Sequence, residues 1–366
     1  MFRGGGVQEC VLALHNELSQ RGHYVKILTP QPRDYNGEIP DSIITVGGSI
    51  NTKAFAGTAW QWSVSVDTYA IDEVFEREKF DVMHFHEPWV PFWSRQLVQR
   101  SKSINIATMH GRFLDTMTAK TITTVVIPYT RPMIKLFDEF TAVSEPATEY
   151  FRTISNRPVT IVPNGIDVKK YNSRPSSAVR HPKKKTILYI GRLENRKGLK
   201  YLLRAYNELA THHSEVQLLI AGTGPDETKL RTFVSENAIP RVTFLGYIPE
   251  ADKIHHLHRA DVFCSPAHYG ESFGIVLLEA MAAACPIVAG DNVGYQSVMR
   301  DTGALSLVNP KDTIDFARRL ELFLFDDGLR QTWLKWARPY VKQFDYNKIV
   351  DQYETVYQRA IKHHEH

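Results

Sequence analysis

Short runs of Val, Ile, Leu and aromatic residues alternate along the chain with longer runs whose apolar positions recur every three or four residues. The first pattern is that of a buried strand, the second that of a helix with one apolar stripe. Their alternation implies parallel sheets covered by helices, an α/β architecture. In the first half, the helix VQECVLALHNELSQRG closes at Gly22 and the strand HYVKILTP follows. A Gly/Pro-rich stretch comes next, then the helix TYAIDEVFEREKF and the strands DVMHFHEP, INIATMH, EFTAVSE and VTIVPNGID. The second half restarts the pattern with five apolar strands, TILYIGR, VQLLIAGTGP, VTFLGYI, DVFCSP and PIVAG. Between them lie the helices KGLKYLLRAYNELAT, DETKLRTFVSENA, ADKIHHLHRA and FGIVLLEAMAAA. This is the order of a doubly wound sheet, which binds ligands in the loops at its strand C-termini. A final amphipathic segment places Ile349, Val350, Tyr353, Val356, Tyr357 and Ile361 near one face.

A chain of 366 residues exceeds what one hydrophobic core usually serves. The break is expected at SRPSSAVRHPKKK, whose Pro, Ser and charge read as a linker. The expected organisation is a first domain over 1–173, a linker over 174–185 and a second domain over 186–345. The tail, 346–366, is expected to cross back and brace the first domain. A ligand is expected in a cleft between the two halves.

Composition narrows the classes. A formal net charge of +4 gives no case for nucleic acid. The three cysteines, Cys10, Cys264 and Cys285, form neither a disulfide framework nor a CxxC metal spacing. They suggest a reducing cytosol. No run of ~18 apolar residues spans a membrane, and the start lacks the apolar core of a signal peptide.

Four places carry candidate chemistry. Gly4, Gly5 and Gly6 open the first helix, where bare backbone can approach an anion or simply turn. In YIGRLENRKG a strand ends at Gly191, and Arg192, Arg196 and Lys197 gather before a helix. That cluster suits a diphosphate, or a solvated basic loop. Glu271 and Glu279 bracket a helix apolar nearly all round. Buried carboxylates need partners, and sugar hydroxyls or a cap plus a core ion pair would serve. His110 ends the strand INIATMH, well placed to meet a substrate. His84 and His86 are read as facing opposite sides of their strand, one toward the core and one toward a ligand. KIHHLH and the terminal HHEH are read as solvated faces.

Taken in order, GGVQ, HxHEP, INIATMH, AVSE, IVPNGID, IGRLENRKG, IAGTGP, FLGYI and GESFGIVLLEAMAA resemble the family-4 retaining glycosyltransferases over essentially the whole chain. Among these the chain most resembles the phosphatidylinositol α-mannosyltransferases. The resemblance implies the GT-B fold, two Rossmann-like doubly wound domains facing across a cleft. It implies that Glu279 binds the nucleotide ribose, and that Glu271, with the backbone of Phe273 and Gly274, holds the transferred sugar. Arg192 and Lys197 would clamp the diphosphate, and His110 would contact the sugar at the reacting centre. The remaining donor contacts implied are Gly5, Gly6, Arg196, Gly222, Gly224, Ile248, Glu250, Lys253, Ser272, Ile275 and Val276. Glu250 and Lys253 match positions that read the base, and a carboxylate with an ammonium suits guanine. GDP-mannose is therefore the expected donor and a lipid or glycan the acceptor, with transfer by front-face displacement. No Asp-x-Asp occurs, so no cofactor and no obligatory metal are expected. Rival readings are a UDP-sugar transferase on the same fold and a sugar-nucleotide-binding protein without turnover.

The chain departs from the family at three points. Only Met1, Phe2 and Arg3 precede the glycine turn, where the family has a strand. An upstream apolar strand is therefore expected to be absent, leaving a slot between HYVKILTP and DVMHFHEP. The family's basic membrane-docking helix matches the acidic TYAIDEVFEREKF, so the implied peripheral contact with the inner face of the cell membrane would need another surface. Ala284-Cys285 stands where a glycine usually ends the helix, making that cap less relaxed.

Overall fold

The computed structural model describes residues 5–31, 37–53, 59–65, 68–89, 93–112, 126–181 and 183–364. It divides into two compact units, one of Met1–Gly165 with Tyr346–His366 and one of Ile166–Asp345.

The first unit opens on helix α1 (Gly6–Gln20), which buries Cys10, Leu14 and Leu18. Strands β1 (Ile27–Gln31), β2 (Ile43–Lys53) and β3 (Ala59–Ser65) form one sheet in that order, β2 parallel to β1 and antiparallel to β3. Strands β4 (Val82–His86), β5 (Ile104–Met109), β6 (Glu139–Ala142) and β7 (Thr160–Ile161) form a second, all-parallel sheet. Every residue of β5 is buried, Asn105 and Thr108 included, as befits an interior parallel strand. HYVKILTP and DVMHFHEP, expected to flank a common strand, supply β1 and β4 of different sheets. Among the described residues no strand pairs with both, and Met1–Gly4 lie outside those residues. The β2–β3 pair was not anticipated. Gly47, at φ 72, and a register shift between Gly48 and Ser49 make a bulge there, and its glycines read in sequence as a loop.

The terminal helix, Tyr346–His364, belongs to this unit. Its Ile349, Val350, Tyr353, Val356 and Ala360 form one core cluster with Leu14, Leu18, Ile104, Ile106 and Val162. Arg21, the residue that caps the end of α1, pairs with Asp351 at 2.7 Å and with Glu354, and Arg359 forks onto Glu139 at 2.9 Å.

The second unit is a six-stranded parallel sheet of β8 (Lys185–Ile190), β9 (Val216–Ala221), β10 (Val242–Gly246), β11 (Val262–Ser265), β12 (Ile287–Gly290) and β13 (Leu307–Val308). Its order is β10-β9-β8-β11-β12-β13, so the chain reverses direction of growth at β8/β11. All four residues of β11 and of β12 are buried, and the one polar side chain among them, Ser265, bonds the Tyr295 hydroxyl. The short β13 is one strand beyond the five expected.

The expected linker at 174–185 lies inside this unit, and the division falls at Gly165/Ile166 instead. Asp167 caps a short helix, Val168–Asn172, by accepting from the Lys170 N–H at 2.8 Å, and that helix buries Tyr171. Beyond it the Arg174 guanidinium donates twice to the Ala178 carbonyl, folding the Pro/Ser segment onto itself. Its composition is that of a surface loop, and composition alone does not separate a loop from a linker.

Candidate active site

The loops that follow the second unit's strands press together through glycines. Gly222, after β9, has φ +126, and a Cβ there would sit 2.0 Å from the Gly191 carbonyl. A side chain at Gly222 would therefore both strain the backbone and push the β8 loop away. That loop holds YIGRLENRKG and makes a single turn, Asn195–Lys197, before the helix Leu199–His212.

The turn gathers the first cluster. Arg196 lies with Nε 2.7 Å from Glu194 Oε1 and donates from Nη1 to Glu271 Oε1 at 2.6 Å. The Lys197 ammonium reaches the same Glu271 oxygen at 2.7 Å. Arg192, about half exposed, has Nη2 3.9 Å from Glu194 Oε2. Burial works against the Arg196 charge, but Glu271 and then Glu194 more than offset it, raising its pKa. Glu271 is 9% exposed and Glu194 7%, so both carboxylates depend on these cations. Glu194 was passed over in the sequence; a carboxylate between basic residues reads there as solvated.

Glu271 precedes the helix Ile275–Ala282. Gly274 caps that helix at φ 108 without a side-chain hydrogen bond, and a Cβ on it would meet the Tyr295 ring at 2.8 Å. Backbone donors of the first turn, at Ile275 and Val276, are the kind that hold an anion. Ser272 and the buried Phe273 lead into it.

Deeper on the same helix sits the second cluster. Glu279, 4% exposed, accepts from the Tyr171 hydroxyl at 2.9 Å and from Lys253 Nζ at 2.7 Å. Glu250 pairs with Lys170 at 2.7 Å, and the Tyr171 hydroxyl lies 3.3 Å from its Oε1. Burial opposes ionisation of Glu250, yet Lys170 draws its pKa below the usual value. The two residues implied to read the base thus sit beside the one implied to hold the ribose. Tyr171, which joins them, had no signal in the sequence because it fell within the segment assigned to the first domain. Gly224 packs against the Leu193 backbone, and half-buried Ile248 precedes Glu250.

Gly5, Gly6 and His110 belong to the first unit. Gly5 is the extended cap of α1 and Gly6 its first residue. His110 is 6% exposed, and its backbone N–H donates to Glu87 at 2.6 Å. Its Nε2 lies 2.8 Å from His86 Nδ1. Burial holds the His110 pKa down to about 4, so the ring is neutral at neutral pH. His84 and His86 were expected on opposite faces of β4. They lie on one face, rings 4.2 Å apart, because residues i and i+2 of a strand share a side. His84 bonds inward, to the Tyr357 hydroxyl at 2.8 Å and Thr108 at 2.5 Å.

Two α/β units, the second a parallel doubly wound sheet with basic and acidic residues in the loops after its strands, are the architecture of the GT-B fold. Solved structures agree: sucrose-phosphate synthase from Thermosynechococcus elongatus superposes with a TM-score of 0.77 at 22% identity, over 97% of this chain and 94% of that one. Anabaena HepE in complex with UDP-glucose gives 0.75 at 17% identity, over 97% of each chain. Residues 4–170 match the description Glycosyltransferase Family 4, and residues 173–339 match Glycosyl transferases group 1. The phosphatidyl-myo-inositol mannosyltransferase of Mycobacterium leprae is 32% identical over 97% of this chain and 93% of its own. That of Mycolicibacterium smegmatis is 32% identical over 98% and 92%. This chain belongs to glycosyltransferase family 4.

Proposed function

We propose that this protein is a retaining mannosyltransferase that moves mannose from GDP-mannose to a lipid acceptor of the phosphatidylinositol kind. Mannose and the lipid acceptor are supported by the names of the mycobacterial relatives, which align along nearly the whole chain. The observation that carries the chemistry is one oxygen of Glu271 held by both Arg196 and Lys197. A diphosphate entering beside them draws both cations toward its oxygens, where charge-assisted bonds are strong. Glu271 is then released to accept from sugar hydroxyls. Arg192, Lys197 and the N-terminus of Ile275–Ala282 offset charge growing on the leaving diphosphate. No step calls for an obligatory metal. A lipid acceptor brings the protein to a bilayer, and we place that contact peripherally, at the inner face.

One observation favours a second reading, a UDP-sugar donor. Lys253 and Glu250 already hold Glu279 and Lys170, so reading guanine requires them to change partners. A thermal-shift comparison at equal concentrations without divalent metal decides between the two. GDP is expected to stabilise more than UDP, and the reverse order overturns the guanine assignment.

A further inference from the structure

Among the described residues, the single group with metal-ligand spacing is Cys10, His86 and His110, whose donor atoms all lie within 4.8 Å of one another. The three come from separate elements: the second turn of α1, the end of β4 and the residue after β5. Cys10 is 5% exposed and unpaired. Burial leaves the thiol little open to a substrate as a nucleophile. All three cysteines are free thiols.

The chemistry of the donor set does fit a cation. One sulfur and two imidazole nitrogens converge there, the ligand types that zinc takes. The Asn164 side chain hydrogen-bonds His110, the kind of contact that orients a ligand imidazole. Tetrahedral zinc, with bonds of ~2.0–2.3 Å, sets its N and S ligands about 3.3–3.6 Å apart. The 2.8 Å separation of His86 Nδ1 and His110 Nε2 has to open slightly to reach that spacing.

We propose that Cys10, His86 and His110 form a binding site for a thiophilic divalent cation of the zinc class, with a fourth position open. Binding forms one metal–sulfur and two metal–nitrogen bonds, breaks the Cys10 S–H bond and releases that proton to solvent. Sulfur and imidazole together select zinc over magnesium or calcium. The bound cation occupies His110, so it inhibits transfer; this second half rests on the proposed sugar contact of His110.

Cobalt(II) is the probe, because a bound thiolate gives it a ligand-to-metal charge-transfer band and tetrahedral geometry gives it strong visible bands. The full chain is expected to bind one cobalt ion with both features, displaced by zinc. Cys10→Ser and His86→Gln are each expected to weaken binding by ~100-fold or more, beyond the ~10–100-fold cost of losing a mere supporting contact. Circular dichroism of both variants confirms that they fold. Cobalt bound without a thiolate band, as at His255–His256–His258 or the terminal histidines, overturns the site. So does a band that survives in Cys10→Ser. Zinc is expected to suppress turnover in the parent and not in Cys10→Ser. A Cys10-dependent band with undiminished turnover keeps the site and overturns the inhibition.

Discussion

Ala284 is a small residue in a costly conformation, and relieving it should stabilise the second unit. The helix Ile275–Ala282 ends with the Ala284 N–H bonded to the Met281 carbonyl and the Cys285 N–H to the Ala280 carbonyl. Those two bonds define a Schellman cap, whose extra turn needs a left-handed residue. Ala284 fills that place at φ 51, although a left-handed L-residue costs ~1–2 kcal/mol. Glycine removes that strain but loses more freedom on folding, a penalty of ~0.5–1 kcal/mol. Ala284→Gly should therefore stabilise by about 1 kcal/mol. For a unit spanning Ile166–Asp345 that raises Tm by ~2–4 °C. Urea unfolding should show a higher midpoint at unchanged slope. Ala283→Gly is the internal control: Ala283 has φ −75, so the same change there should destabilise by ~0.5–1 kcal/mol. Equal effects of the two substitutions, or a loss of stability in Ala284→Gly, would refute the strain account.

Lys197→Ala and Glu271→Gln should each lower turnover by ~100-fold or more in folded protein, since each removes a group facing the diphosphate or the sugar. Near-parental kcat in either variant excludes that residue from the chemistry. Gly222→Ala should lose donor binding in a GDP titration, because its Cβ collides with the Gly191 carbonyl; parental affinity would show the loops to be slack. The first unit should weaken in mild acid. Burial lowers the pKa of His84 to about 3, that of His110 to about 4, and that of His86 well below its usual value. The unfolded chain binds these protons near pH 6.5 and the folded one does not, so stability rises with pH from about 4 to 6.5. A urea midpoint no lower at pH 5 than at pH 7 would contradict this.

The second unit was legible in sequence because its central strands β8, β11 and β12 are buried on both faces. TILYI and IVAG cannot be half-exposed strands, and a charged residue stands within two positions after each. The apolar helix around Glu279 was equally plain, since a carboxylate surrounded by Leu and Ala must find partners. What failed depended on distance in space. Tyr171 and Glu194 show no motif; their roles arise from hydroxyl and carboxylate contacts made only once the loops converge. The β2–β3 pair hid behind Gly47 and Gly48, residues that break strands in general and here shape a bulge. The division near Gly165 hid because a folded surface loop and a free linker share a composition.

The terminal helix gives synthesis of this protein an unusual order. Domains generally fold as units while the chain emerges, at roughly 5–20 residues per second. The second unit has all its residues once Asp345 is out, but the first still lacks Tyr346–His366. Until that helix arrives, Leu14, Leu18, Ile104, Ile106 and Val162 have no Ile349, Tyr353 or Val356 to bury them. The half made first is thus completed last. For that interval its apolar face is open to chaperones, or to other chains on the same message.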